Sequence, residues 1–261
     1  MPQDCPRVGK EFVALSTAGG DEEQVLQRLR QKSVTEIAIP GGWTEETVTL
    51  GTRAFHVLLP ADADALLESL ELLAQDGVAV RDPYWARLWP CAHILAESIA
   101  RRPWPQGVSA LELGCGAGLP GLAALAQGLD VTFSDCEPLA VALALENAQR
   151  NGFTAAHGYW LDWHQPQPVR FPIIFGSDVI YDAALHPILL ELLRQMLTGE
   201  GSCWLADPGR FHAASFVQRA ADTGFHAAIY DELDQEHSTL RSGQYQRIVL
   251  RKKWCVAPLL R

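Results

Sequence analysis

Leu66, Leu67, Leu70 and Leu73 recur at spacings of three and four, the stripe of a helix over residues 62–75 with one apolar face. Before it, residues 22–32 have helical character, and residues 47–50 and 54–59 read as two strands joined around Gly51. From Val108 the pattern changes to short apolar runs alternating with helical stretches. Strands are predicted at 108–113, 131–134, 156–161, 173–177 and 203–206, and helices at 139–150, 184–197 and 211–221. That alternation is the mark of a doubly wound, mostly parallel sheet covered on both faces. Residues 225–230 and 244–251 are two further strand-like runs, and the short polar connection between them has no room for a crossover helix. They are predicted as an antiparallel pair at one edge, which brings the sheet to seven strands.

The pattern divides the chain into an N-terminal α+β extension over residues 1–80, an α/β domain over 81–253 and a tail over 254–261. A length of 261 residues and a hydrophobic fraction of 48% suffice for one large core without staples. Residues 1–20 lack the apolar stretch of a signal peptide, and no run of about 20 apolar residues could span a bilayer. The expectation is a soluble, cytoplasmic protein without membrane contact. Cys5, Cys91, Cys115, Cys136, Cys203 and Cys255 form no C-x-x-C pair, and the eight histidines show no H-E-x-x-H pattern, so no metal is implied. A net charge of −10 argues against binding nucleic acid through its phosphates and suits a basic partner.

Candidate chemistry begins at Leu111-Glu112-Leu113-Gly114-Cys115-Gly116-Ala117-Gly118-Leu119-Pro120-Gly121, between a predicted strand and a predicted helix. Glycines there let a ligand lie against the backbone, and the helix start offers free N–H donors. Pro120 suits the first helical turn, where its missing donor costs nothing. Gly116-x-Gly118-x-x-Gly121 literally matches the dinucleotide fingerprint, so NAD must be weighed. The register favours another ligand: the strand ends at Leu113, which puts Glu112 two residues before the first turn glycine. A carboxylate fits poorly beside a pyrophosphate and well beside the ammonium and sulfonium of S-adenosylmethionine. Asp135, at the end of the next strand, suits two ribose hydroxyls of either cofactor, or a turn cap.

Three further stretches carry a resemblance. They are Pro83-Tyr84-Trp85-Ala86-Arg87-Leu88-Trp89-Pro90 leading into residues 91–100, Leu161-Asp162-Trp163, and Ser177-Asp178-Val179-Ile180-Tyr181 with its D-x-x-Y spacing. Together they resemble the methyltransferase-16 group of seven-strand lysine methyltransferases, over about residues 55–252. Pro83–Pro90 together with Asp207-Pro208-Gly209-Arg210 looks closest to the branch that methylates the electron-transfer flavoprotein beta subunit. The resemblance implies a Rossmann-like fold and S-adenosylmethionine as cofactor. It implies a cofactor site lined by Trp89, Glu112, Gly114, Gly116, Gly118, Asp135, Cys136, Asp162, Trp163 and Ser177, with Asp162 near the adenine amino group and Trp163 against the ring. Asp178 and Tyr181 would meet the acceptor, Asp178 drawing in an ammonium group and Tyr181 forming an aromatic wall, with Asp207 a lesser candidate. Each tryptophan also suits ordinary core packing, and Asp178 a helix cap.

The expected activity is methyl transfer to a lysine of a protein substrate by a monomeric enzyme. A small-molecule amine or RNA as acceptor, a non-catalytic cofactor-binding scaffold, and NAD-dependent redox chemistry are the alternatives. RNA is disfavoured by the acidic charge and by the absence of an N-P-P-Y-type motif.

Overall fold

The structure, a computed structural model, describes residues 21–76 and 80–253. The expectations for residues 1–20 and 254–261, with Cys5 and Cys255, fall outside that range. The chain runs α1 (Glu22–Leu29), β1 (Trp43–Leu50), β2 (Arg53–Pro60), α2 (Ala63–Gln75), α3 (Pro90–Ala100), β3 (Ser109–Leu113), α4 (Leu119–Ala126), β4 (Asp130–Asp135) and α5 (Pro138–Arg150). It continues with β5 (His157–Trp160), β6 (Phe171–Ser177), α6 (His186–Met196), β7 (Leu197–Asp207), α7 (Ala213–Asp222), β8 (Phe225–Tyr230), β9 (Glu236–His237) and β10 (Gln246–Lys252).

The large sheet has the order β5-β4-β3-β6-β7-β10-β8-β9. Strands β3 to β7 pair in parallel, and β10 lies antiparallel to both β7 and β8. The predicted antiparallel pair is present, but among the described residues the sheet has eight strands, not seven. The polar connection holds the two-residue strand β9, which pairs with β8. Two residues are too few to leave an alternation in the sequence. The Asp231 carboxylate fixes this turn by accepting from the N–H groups of Leu233 and Gln235, both at 2.9 Å, and lies 2.8 Å from Nε2 of His237.

Side-chain alternation along the central strands feeds two cores. Ala110, Ile173, Phe175, Trp204 and Ala206 join the core under α3, α4 and α5. Their neighbours Leu111, Ile174, Cys203 and Leu205 join the opposite core, under α6 and α7. Burying each large apolar side chain contributes roughly 1.5–3 kcal/mol, so both faces of the sheet are anchored. From β3 the chain steps outward through β4 to β5 and then returns to β6 on the other side of β3. This reversal opens a crevice at the carboxyl ends of β3 and β6, the usual ligand position in such sheets.

Helix α2 forms as its apolar stripe predicts, with Asp62 capping the N–H of Ala65 at 2.9 Å and Leu66 and Leu70 buried. The hairpin of β1 and β2 turns on Gly51, at φ +59°. Strand β1 starts four residues earlier than the alternation suggested, because its first half carries exposed polar residues. The hairpin is tied to α5 through Asn147, wholly buried, whose Oδ1 accepts from Leu58 N–H at 2.7 Å. Its Nδ2 donates to the carbonyls of Leu58 at 3.2 Å and Ala117 at 3.0 Å, so one amide joins hairpin, helix and glycine loop. Replacing Asn147 with alanine strands three buried backbone groups; the expected loss is ~3 kcal/mol or more, read as a lower urea midpoint at unchanged slope.

Candidate active site

Strand β3 delivers the chain to Gly114, Gly116 and Gly118, all left-handed, at φ +59°, +49° and +79°. Such a run is accessible only to glycine without strain. A Cβ on Gly118 would lie 2.9 Å from both Phe133 and Ala144, so that glycine is also dictated by packing. Gly116 differs: a Cβ there would meet nothing nearer than the Trp85 backbone at 3.6 Å, so its surroundings leave space. Asp135 closes the loop from the side, its Oδ2 accepting from Gly116 N–H at 3.1 Å and its Oδ1 from Glu137 N–H at 3.0 Å. Burial pushes the Asp135 carboxyl up, and these N–H groups pull it back. The Cys136 thiol and N–H also approach this carboxylate, and two vicinal hydroxyls can compete with them for its remaining acceptor sites.

Glu112 stands near the end of β3 as expected, with its carboxylate turned into the protein. It is 1% exposed, and its Oε2 accepts from Gly121 N–H at 2.9 Å. Burial holds its pKa well above the usual carboxylate range. Its direct work is to brace the start of α4, and a Cβ on Gly121 would sit 2.5 Å from the same oxygen. Glu137, beside Asp135, is pushed up to about 7 by burial against the opposing pull of Arg81.

On the far side of β4, the Asp162 Oδ1 accepts from His164 N–H at 2.9 Å and lies 2.8 Å from Nδ1 of the same residue. Burial acts to raise its pKa, but the His164 contacts prevail and hold the carboxyl below its ordinary value. Trp163 packs partly buried against the core under α6 and α7. Cys136 is exposed in the turn after β4, and its carbonyl accepts from Nε1 of Trp160 at 2.8 Å and from Arg81 at 3.3 Å. Trp160 and Arg81 therefore frame this side, although neither was singled out in the sequence. Ser177 ends β6 half-buried, opposite Ala206 of β7.

Beyond β6, Asp178 takes a left-handed turn at φ +58°, and its N–H donates to the Ala206 carbonyl at 2.9 Å. Its side chain is already partly engaged, which the sequence did not show. Oδ1 already receives Nη2 of Arg210 at 2.7 Å, while Oδ2 is buried without a hydrogen-bond partner. Asp207, fully buried, accepts from the N–H groups of Gly209 and Arg210, both at 2.8 Å, and from Nη1 of Arg210 at 3.3 Å. Tyr181 projects from the same turn and is 44% exposed. It meets Tyr84 edge-on at 5.9 Å, Tyr84 meets Trp89 at 6.4 Å, and Trp89 Nε1 donates to the Tyr84 carbonyl at 2.8 Å. Tyr84 completes this open aromatic group; its place in the Pro83–Pro90 stretch was the only signal for it.

A sequence profile described as lysine methyltransferase matches residues 80–227, more than half of the chain and all of the crevice. The chain belongs to the lysine methyltransferase family. It is 29% identical over 153 residues to EEF1A lysine methyltransferase 3 of Mus musculus, covering 55% of this chain and 65% of that protein. It is 31% identical over 128 residues to a histidine protein methyltransferase 1 homolog of Dictyostelium discoideum, covering 46% and 41%. The chain thus spans less than two thirds of the length of either relative. The crystal structure of ribosomal protein L11 methylase from Lactobacillus delbrueckii subsp. bulgaricus shares the fold with TM-score 0.50 at 19% identity, over 61% of this chain and 77% of that one. The match to the electron-transfer flavoprotein branch is not singled out by these relatives.

The family is S-adenosylmethionine-dependent, and the crevice fits that cofactor. The space at Gly116 and the acceptor oxygens of Asp135 beside it are what a ligand bearing a ribose diol and a backbone-hugging chain requires. A Gly116→Ala variant keeps the packing but forces alanine into a left-handed turn and fills the open space. It is expected to lose about tenfold or more in S-adenosylhomocysteine affinity by calorimetry, with a fall of only ~1 kcal/mol in unfolding free energy.

Proposed function

We propose that the chain transfers a methyl group from S-adenosylmethionine to a lysine amine of a protein substrate. The observation that carries the reading is the pairing, at the end of β6, of a carboxylate with an open aromatic group made by Tyr84, Trp89 and Tyr181. An amine that arrives charged and must react neutral needs both. In this reading Asp135 takes the ribose hydroxyls, Asp162 and Trp163 the adenine side, and Gly114, Gly116 and Gly118 the amino-acid portion, with Cys136 and Ser177 at the rim. The bound cofactor supplies an electrophilic methyl group on a sulfonium centre.

The chain's residues then have two tasks. A free lysine, with pKa about 10.4, requires roughly 4–5 kcal/mol to give up its proton at neutral pH. Tyr84, Trp89 and Tyr181 strip water from the amine, which lowers that cost. Their faces also stabilise the positive charge that returns to nitrogen after transfer. Asp178 attracts the ammonium from solution and orients it, so much of the rate comes from alignment rather than from a nucleophile and base pair.

Several observations support the remaining parts of the reading. The charge of −10 favours a basic protein over nucleic acid as partner. Among the described residues no helix is long and apolar enough to cross a membrane. Cys91, Cys115, Cys136 and Cys203 are free thiols, as suits the cytoplasm.

Labelled methyl transfer into a protein extract, resolved by mass spectrometry, tests the reading. The expected result is label on lysine of a discrete protein. Tyr181→Phe is expected to retain most of the rate and Tyr181→Ala to lose about tenfold or more, as a ring without its hydroxyl still faces the cation. Label on histidine, arginine, RNA or small molecules would move the acceptor elsewhere. S-adenosylhomocysteine, and not NAD, is expected to raise Tm; stabilisation by NAD alone would end the methyltransferase reading.

A further inference from the structure

Arg210 bridges two carboxylates and leaves one oxygen without a donor. Its Nη2 reaches Oδ1 of Asp178 at 2.7 Å and its Nη1 reaches Oδ2 of Asp207 at 3.3 Å. Asp207 is fully satisfied and inaccessible, so it serves as an anchor that fixes the guanidinium from behind. Gly209 makes this approach possible: at φ +80° it brings the loop so close to residues 241–244 that a Cβ would sit 2.3 Å from the Arg241 carbonyl. Asp178, by contrast, is held by Arg210 through one oxygen, with the neutral Cys91 thiol beside it, while Oδ2 is closed from solvent and meets no cationic donor. A buried carboxylate oxygen without a donor is left desolvated and uncompensated, a cost that an arriving cationic donor removes.

We propose that Arg210 is a positioning residue for methyl transfer, holding the Asp178 carboxylate by Oδ1 so that Oδ2 is left for the acceptor's ammonium. The inference rests on the acceptor role of Asp178 proposed above. Arg210 is the wrong residue to accept the methyl group, because its guanidinium is engaged by both carboxylates and stays charged. Its side chain is 30% exposed, against 12% for Asp178.

The groups facing Asp178 are Asp207 at the end of β7, Arg210 from the loop after it and the Cys91 thiol from α3. Burial pushes the Asp178 carboxyl above its ordinary value, and Arg210 opposes that push. Without Arg210, burial and the Asp207 charge act together in the raising direction. A carboxyl raised in the folded protein is ionised only at higher pH, so an Arg210→Gln variant moves the onset of activity upward.

The experiment follows carbon-13 carboxyl shifts of Asp178 across pH in the intact chain, assigned with Asp178→Asn, alongside initial rates of labelled transfer into protein extract over the same range. In Arg210→Gln the Asp178 titration and the acid limb of the rate are expected to rise together by about one pH unit or more. The rate at pH 7 should fall about tenfold or more, with Arg210→Lys restoring part of both because it keeps the charge and loses the fork. S-adenosylhomocysteine affinity should stay within about twofold of wild type. An unmoved titration in Arg210→Gln overturns the proposal, and so does a rate loss explained by weaker cofactor binding, which would assign the free oxygen to the cofactor's ammonium. If Asp178→Asn transfers at the full rate, the acceptor role of Asp178 itself falls, and the Arg210 proposal falls with it.

Discussion

The bond from Gly116 N–H to the Asp135 carboxylate is the constraint on which the crevice depends. It ties the turn after β3 to the end of β4, and it can form only because three left-handed glycines bend the chain back over its own strand. Glu112 holds the helix side of the same turn through Gly121, and Asn147 holds its crest through the Ala117 carbonyl. Two carboxylates and one amide thus replace the side-chain packing that glycines cannot provide. The backbone is rigid where a ligand would lie against it, and no Cβ intrudes.

The opposite wall is organised by a different interaction. Arg210 gathers Asp178 and Asp207, the acidic ends of β6 and β7, which would repel each other if left alone. Parallel pairing of these strands brings the two carboxylates to one edge, and the guanidinium makes that arrangement affordable. The aromatic group of Tyr84, Trp89 and Tyr181 lies outside this charged knot, so polar fixation and apolar reception are separated in space.

The parallel core was legible because its strands are buried on both faces and read as apolar runs between helical stripes. The glycine loop was legible because its conformation demands a residue type. Strand β9 was not, since two residues carry no period, and the first half of β1 was not, since it is a polar edge. Residue roles were less legible than residue positions. Glu112 and Asp178 both stand at strand ends as expected, yet the first is spent on a helix start and the second is partly spent on Arg210. Sequence gives each carboxylate its place, while its partners come from chain segments far away, as with Asp178 and Arg210.

The amide of Asn147 has one more consequence. Its two hydrogen-bonding ends grip the hairpin at Leu58 and the glycine turn at Ala117, so release of either frees a partner of the other. Opening of the turn and detachment of the hairpin therefore belong to a single cooperative unit. The Leu58 amide, on the hairpin, becomes a reporter of the crevice: whatever ligand steadies the glycine turn slows deuterium uptake at Leu58 by the same free energy with which it suppresses that shared opening.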